Sequence, residues 1–219
     1  MKKKVTCICE NSFDVEVIEE INLDEDGKYL DEILNGTFLN FICPGCNKNL
    51  KPEFPISVLW PSKKLKFEVI PEMDRGEFYR RKKDDAKKEN TKKEKPEMDS
   101  FSGETLIGYP ELADRIALIR DGFEPMPVEA IKYHLQLKAE EQYPDTEMEI
   151  WYYGSAPDFL EFHIHGIKEN EVAVMKVPMS VYNRTLNDFK EHPKAELYAA
   201  IRYRTYLSYK NTMRLETLK

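Results

Sequence analysis

Residues 13–17, Phe-Asp-Val-Glu-Val, alternate apolar and polar, the period of a strand with one face buried and the other in water. Residues 29–34 have the spacing of a short helix and end at Asn35-Gly36, a stop signal. Residues 37–42 then predict a second strand that runs into Cys43. Two β-rich runs, 56–60 and 65–70, are separated by Pro61-Ser62, which predicts a hairpin. Beyond residue 103 the period lengthens. Residues 111–120 and 128–142 read as helices, the first with Ile116, Leu118 and Ile119 on its apolar face and the second behind Pro127, well placed at a helix start. Three strands are expected at 147–153, 159–167 and 171–177, the last two joined by Lys168-Glu169-Asn170. Two helices, near 180–189 and 194–210, complete the pattern.

The two patterned regions are separated by a run of charge. From Asp74 to Asp99, 18 of 26 residues are Asp, Glu, Lys or Arg, ten positive and eight negative, and its basic part is 80–95. Such a segment has too little apolar surface to offset the entropy of ordering and reads as a solvated spacer. The predicted fold class is therefore α+β: a zinc-ribbon-like β module over 1–72, a charged linker over 73–103, and a C-terminal α+β domain with a short antiparallel sheet over 104–219.

Four cysteines change the picture of the first region. They fall as Cys7-Ile8-Cys9 and, 33 residues on, Cys43-Pro44-Gly45-Cys46. Two close pairs on two tight turns meet the tetrahedral demand of a structural zinc ion, for which thiolates are preferred donors. Pro44 fixes φ, Gly45 is expected to accept a positive φ, and Asn47 tolerates the left-handed conformation often needed after the last ligand. Glu10 follows the first pair, where Gly or Asn is expected. The expected ligands are Cys7, Cys9, Cys43 and Cys46, and the expected cofactor is structural Zn2+. A redox disulfide pair and four unrelated buried thiols are the alternatives.

From about residue 5 to residue 135 the chain resembles the CpXC domain, an uncharacterised bacterial and archaeal domain named for two CPxC motifs. The resemblance rests on Cys43-Pro44-Gly45-Cys46, Ile33-Leu34-Asn35-Gly36, Leu39-Asn40 and the run 56–70. Past the charged segment it rests on Tyr109-Pro110-Glu111-Leu112, Arg115-Ile116, Asp121-Gly122 and Glu129-Ala130-Ile131-Lys132. Cys7-Ile8-Cys9 departs from it, standing where a CPxC is expected. The resemblance implies a domain and a metal and carries no reaction. The CxC…CxxC spacing alone is also similar to the zinc centre of a redox-regulated bacterial chaperone.

Other candidates are weaker. His163 and His165 share one face of an expected strand, where Asp158 or Glu161 would complete a metal or catalytic site, although an ordinary polar strand face is the favoured reading. Glu111, Asp114, Asp121, Glu124 and Glu129 form an acidic cluster around two helices. Tyr198, Tyr203, Tyr206 and Tyr209 alternate with Arg202, Arg204, Lys210 and Arg214, a pattern that suits either packing or stacking on nucleic acid. The net charge of −7 weighs against nucleic acid and leaves a protein partner as the expectation. Neither a P-loop nor GxGxxG, GxSxG or HExxH occurs. No apolar run reaches the roughly 18 residues of a membrane span, and the basic start lacks the apolar core of a secretory signal, so a cytoplasmic location is expected. The sequence thus predicts a zinc-stabilised interaction protein without catalysis. The alternatives are a thiol switch that releases zinc on oxidation and an enzyme built around His163 and His165.

Overall fold

The computed structural model describes residues 1–25, 27–80 and 101–216, excluding the side chains of 214–216. Most of the basic run, residues 81–95, and the spacer through residue 100 lie outside the described residues. The fold is mixed α+β, with several small sheets and seven helices among the described residues. The chain divides into two compact units, Met1–Ala113 and Asp114–Lys219. No helix among the described residues is long and apolar enough to cross a membrane.

The first unit begins with two small hairpins. Strand β1 (Lys2–Thr6) pairs antiparallel with β2 (Ser12–Glu16), with Val5 opposite Phe13. Three lysines open β1 and Val5 alone is buried, so hydrophobic alternation gives no sign of this strand. The second hairpin joins β4 (Phe41–Ile42) to β5 (Asn49–Leu50). Val5, Val15 and Val17 pack with Phe13, Phe41, Leu50 and Phe54, which gives both hairpins one small core.

Helix α1 (Gly27–Leu34) buries Ile33 and stops at Gly36, whose φ of 65° is the left-handed turn expected there. The strand expected over 37–42 shrinks to β4. The N–H groups of Thr37 and Phe38 both donate to the Glu32 carbonyl, and Leu39 is left-handed at φ 49°. The helix end thus takes the donors a longer strand needs.

The larger sheet of this unit contains β3 (Glu20–Asn22), β6 (Ile56–Trp60), β7 (Leu65–Ile70) and β8 (Ser102–Ile107), side by side in the order β8-β7-β6-β3. The predicted β6–β7 hairpin is present, with Ile56 opposite Val69 and Trp60 opposite Leu65. Strand β8 lies parallel to β7 from Leu65↔Ser102 to Ile70↔Ile107. This pairing carries the first unit past residue 103. Helix α2 (Arg75–Arg80) follows the sheet, and Arg75 is salt-bridged to Glu111 at 2.7 Å. Glu111 belongs to α3 (Tyr109–Arg120), which runs across the division between the units.

In the second unit, β9 (Glu149–Ala156), β10 (Phe159–Lys168) and β11 (Glu171–Pro178) form an antiparallel sheet in the order β11-β10-β9, as expected. Leu160, Phe162 and Ile164 alternate inward along β10. Helices α4 (Pro125–Gln142) and α5 (Met179–Glu191) pack together, and Met126 and Ala130 of α4 form a core with Tyr198, Ile201 and Leu207.

The single helix expected over 194–210 is replaced by α6 (Glu196–Ile201), a hairpin of β12 (Arg202–Tyr203) and β13 (Tyr206–Leu207), and α7 (Lys210–Glu216). Arg204 turns left-handed at φ 55°, which a continuing helix cannot accommodate. The aromatic and β-branched residues around it favour strand pairing.

Among the described residues, four charged side chains are buried in this unit. Lys132 Nζ lies 2.5 Å from Asp114 and 3.1 Å from Glu129, and Arg115 lies 3.4 Å from Glu129. Asp114 accepts the Tyr152 N–H, Glu129 accepts the Tyr209 N–H, and Arg115 donates to the Leu207 carbonyl. Two cations balance two anions, and the carboxylates tie a helix, a sheet strand and the C-terminal segment together.

Candidate metal centre

The turn after β1 carries Cys7 and Cys9. The Cys7 N–H donates to the Asn11 carbonyl and the Glu10 N–H to the Cys7 carbonyl, which folds three residues tightly enough to bring the pair to one side. Glu10 takes the left-handed conformation itself, at φ 67°, despite lacking the tolerance of Gly or Asn. In the turn after β4, the Cys43 N–H donates to the Lys48 carbonyl and the Asn47 N–H to the Cys43 carbonyl. Asn47 is left-handed at φ 56°, as its residue type suggests.

Gly45 is a correction. It is absent from the positive-φ positions, and its value lies in a close approach. A Cβ at Gly45 would stand 3.2 Å from the Asn11 Cβ, so the glycine lets the two turns meet. Asn11 then extends its amide 3.7 Å to the Cys43 sulfur. Asn11 is not among the site residues expected from the sequence, where its one mark is an amide side chain two residues after Cys9.

All four sulfurs lie within 4.8 Å of one another, and among the described residues they form the one group of three or more His, Cys, Asp or Glu able to hold a metal ion. The near contacts run between the turns: Cys7 to Cys46 at 3.5 Å and Cys9 to Cys43 at 3.7 Å. Cys7 and Cys43 are buried, while Cys9 and Cys46 are exposed. A ZnS4 tetrahedron with Zn–S bonds of about 2.3 Å has S···S edges of roughly 3.8 Å, so these sulfurs fit such an ion with little movement.

Cys43 and Cys46 are displaced in opposite directions. Burial pushes the Cys43 thiol up, but the N–H groups of Gly45 and Cys46, the Asn11 amide and the Cys7 thiol reverse this and bring it down to about 6. For Cys46 the Lys48 N–H acts downward, yet Cys9, burial, Cys7 and Cys43 push it up to about 12. Cys43 ionises readily and Cys46 resists, because sulfurs this close hold several negative charges only around a cation.

The other candidates do not converge. The His163 ring stacks on Tyr153, with centroids 3.9 Å apart, and its Nε2 lies 3.2 Å from Glu161. His165 is exposed, and among the described residues no third ligand joins the pair. The acidic cluster is occupied structurally. Glu111 pairs with Arg75 and accepts the Ile107 N–H, Asp121 accepts the Tyr152 hydroxyl, Glu124 pairs with Lys190, and Asp114 and Glu129 belong to the buried network. Tyr198, Tyr206 and Tyr209 are buried, which supports packing over stacking on nucleic acid.

The family model described as "CpXC protein" matches residues 5–132. An uncharacterized protein of Treponema pallidum (strain Nichols) is 30% identical over 214 residues, a match covering 95% of this chain and 97% of that protein. No solved structure matches the chain.

Proposed function

The chain belongs to the CpXC family, and from that premise we propose that it is a zinc-stabilised interaction protein whose ion builds the fold and performs no reaction. The observation that carries this reading is the mutual approach of four sulfurs within 4.8 Å, delivered in pairs by two turns. Four thiolates complete a tetrahedral shell and leave no position for water or substrate, the condition of a structural zinc site. Each zinc-ribbon-like turn would then be held through its own pair. The core shared by the hairpins is small, so the ion supplies stabilisation that apolar burial does not.

A protein partner fits the surface beside the site. Ile8, between the first two cysteines, and Ile42, just before the third, are 75% and 69% exposed. Apolar side chains held out in water on metal-fixed turns are suited to contact with another protein. Chelation followed by limited proteolysis tests the structural role. Removal of the ion is expected to open cleavage within residues 1–50 while β9–β11 stay protected. Unchanged protection of the first fifty residues would sink this reading.

The exposure of Cys9 and Cys46 favours one second reading, a thiol switch. Two thiolates and two protons would reduce hydrogen peroxide to two waters, forming one disulfide and releasing the ion. Metal retained at millimolar peroxide would exclude it.

A further inference from the structure

A cavity of about 450 Å3 lies in the second unit between α4, α5, the end of β11 and the start of α6. That volume is within the range of roughly 300–1,000 Å3 usual for small-molecule sites. Both helices line it with the same spacing. Helix α4 contributes Ile131, His134, Leu135 and Lys138, and α5 contributes Val181, Arg184, Thr185 and Asp188. Each set follows i, i+3, i+4, i+7, one continuous helix face. Within each set the apolar residues begin the stripe and a cation stands farther along it.

The floor is apolar and sheltered: Ile131, Leu135 and Val177 are buried, as is the Tyr198 ring. The rim is basic and open, with Lys138, Lys176 and Arg184 all exposed. The one lining carboxylate, Asp188, already accepts the Tyr198 hydroxyl at 2.6 Å. Lys176 lies over the Phe159 ring and 3.9 Å from Glu161. Lys138 and Arg184 have no ion pair among the described residues. In a chain of net charge −7, two uncompensated cations at the mouth of an apolar cavity form a local field of the opposite sign.

We propose that this cavity binds an organic anion with an apolar body, a carboxylate head on a hydrocarbon tail. The head lies between Lys138 and Arg184, where a guanidinium offers two parallel donors to a carboxylate. The tail lies on Ile131, Leu135 and Val177 and is removed from water there. An inorganic anion leaves the apolar floor uncovered, and a cationic amphiphile meets the wrong charge at the rim.

Calorimetric titration of the full chain with decanoate, acetate and decyltrimethylammonium tests this. Decanoate is expected to bind at one site with a Kd below 1 mM, and acetate and decyltrimethylammonium at least tenfold more weakly. Joint replacement Lys138→Ala and Arg184→Ala, both exposed positions, is expected to weaken decanoate at least tenfold without lowering Tm. Val181→Trp, which fills the cavity, is expected to remove binding. No decanoate binding up to 1 mM overturns the proposal, as does binding that the double variant leaves unchanged. Equal affinity for decyltrimethylammonium overturns it as well.

Discussion

At the scale of single residues, Asn11 and Gly45 carry the join between the two cysteine turns. Asn11→Ala removes the amide 3.7 Å from the Cys43 sulfur and is expected to lower metal affinity by roughly 10–100-fold, the usual cost of losing a group that hydrogen-bonds a ligand. A competition titration with a chromophoric chelator reads this directly, and unchanged affinity would remove Asn11 from the site. The convergence of the four cysteines was legible because paired thiols at short spacing have few other uses in one chain. Asn11 was not, since its role depends on which turn lies opposite.

Lys132 is the corresponding residue in the second unit. Lys132→Met leaves Asp114 and Glu129 buried beside one remaining cation, and a loss of about 3–5 kcal/mol is expected by denaturant unfolding. The pH dependence has two opposed parts. Burial pushes Glu129 up, but Lys132 and Arg115 overcome it and hold the carboxyl below its ordinary 4.5, so its contribution is present above that value and is lost as pH falls through the folded value. Asp114 is raised by burial against the pull of Lys132, so its protonation returns stability on acidification. Glu129→Gln is therefore expected to flatten the acid loss of stability and Asp114→Asn to steepen it, read as urea midpoints between pH 7 and pH 3. The reverse order would contradict the assignment. The sequence showed these carboxylates only as an acidic cluster, because the partners of each lie on other elements.

At the scale of elements, periodicity served where one face is buried and failed where local chemistry intervened. The β6–β7 hairpin and strands β9–β11 were legible because their inward residues alternate, as Ile56, Val58 and Trp60 do. Strand β1 was not, since one valine stands against a row of lysines. The C-terminal helix failed at Arg204, where a left-handed residue closes a two-residue hairpin inside an otherwise amphipathic run. Lys64 shows the same feature at a site open to test. It closes the short turn between β6 and β7 at φ 55°, exposed to water. Lys64→Gly relieves the left-handed penalty of about 1–2 kcal/mol, less the entropy glycine loses on folding, for a net gain of roughly 0.5–1 kcal/mol. Thermal melting checks it, and a lower Tm would show that the lysine side chain matters more than its backbone.

At the scale of the whole molecule, each unit is held by its own device. In the first, two hairpins with a small common core bring four sulfurs together, and in the second, balanced charges are buried inside an α+β core. The overall α+β class followed from the change of hydrophobic period along the chain, while the participation of β8 in the first unit's sheet did not, because parallel pairing across a long separation leaves no local mark. The central claim is that the four thiolates enclose one zinc ion. Elemental analysis of the purified full chain, beside Cys43→Ser, tests it most directly. One zinc per chain in the wild type, with the variant falling to a small fraction of that, is the predicted result. A wild-type chain that is folded, soluble and free of metal would contradict it.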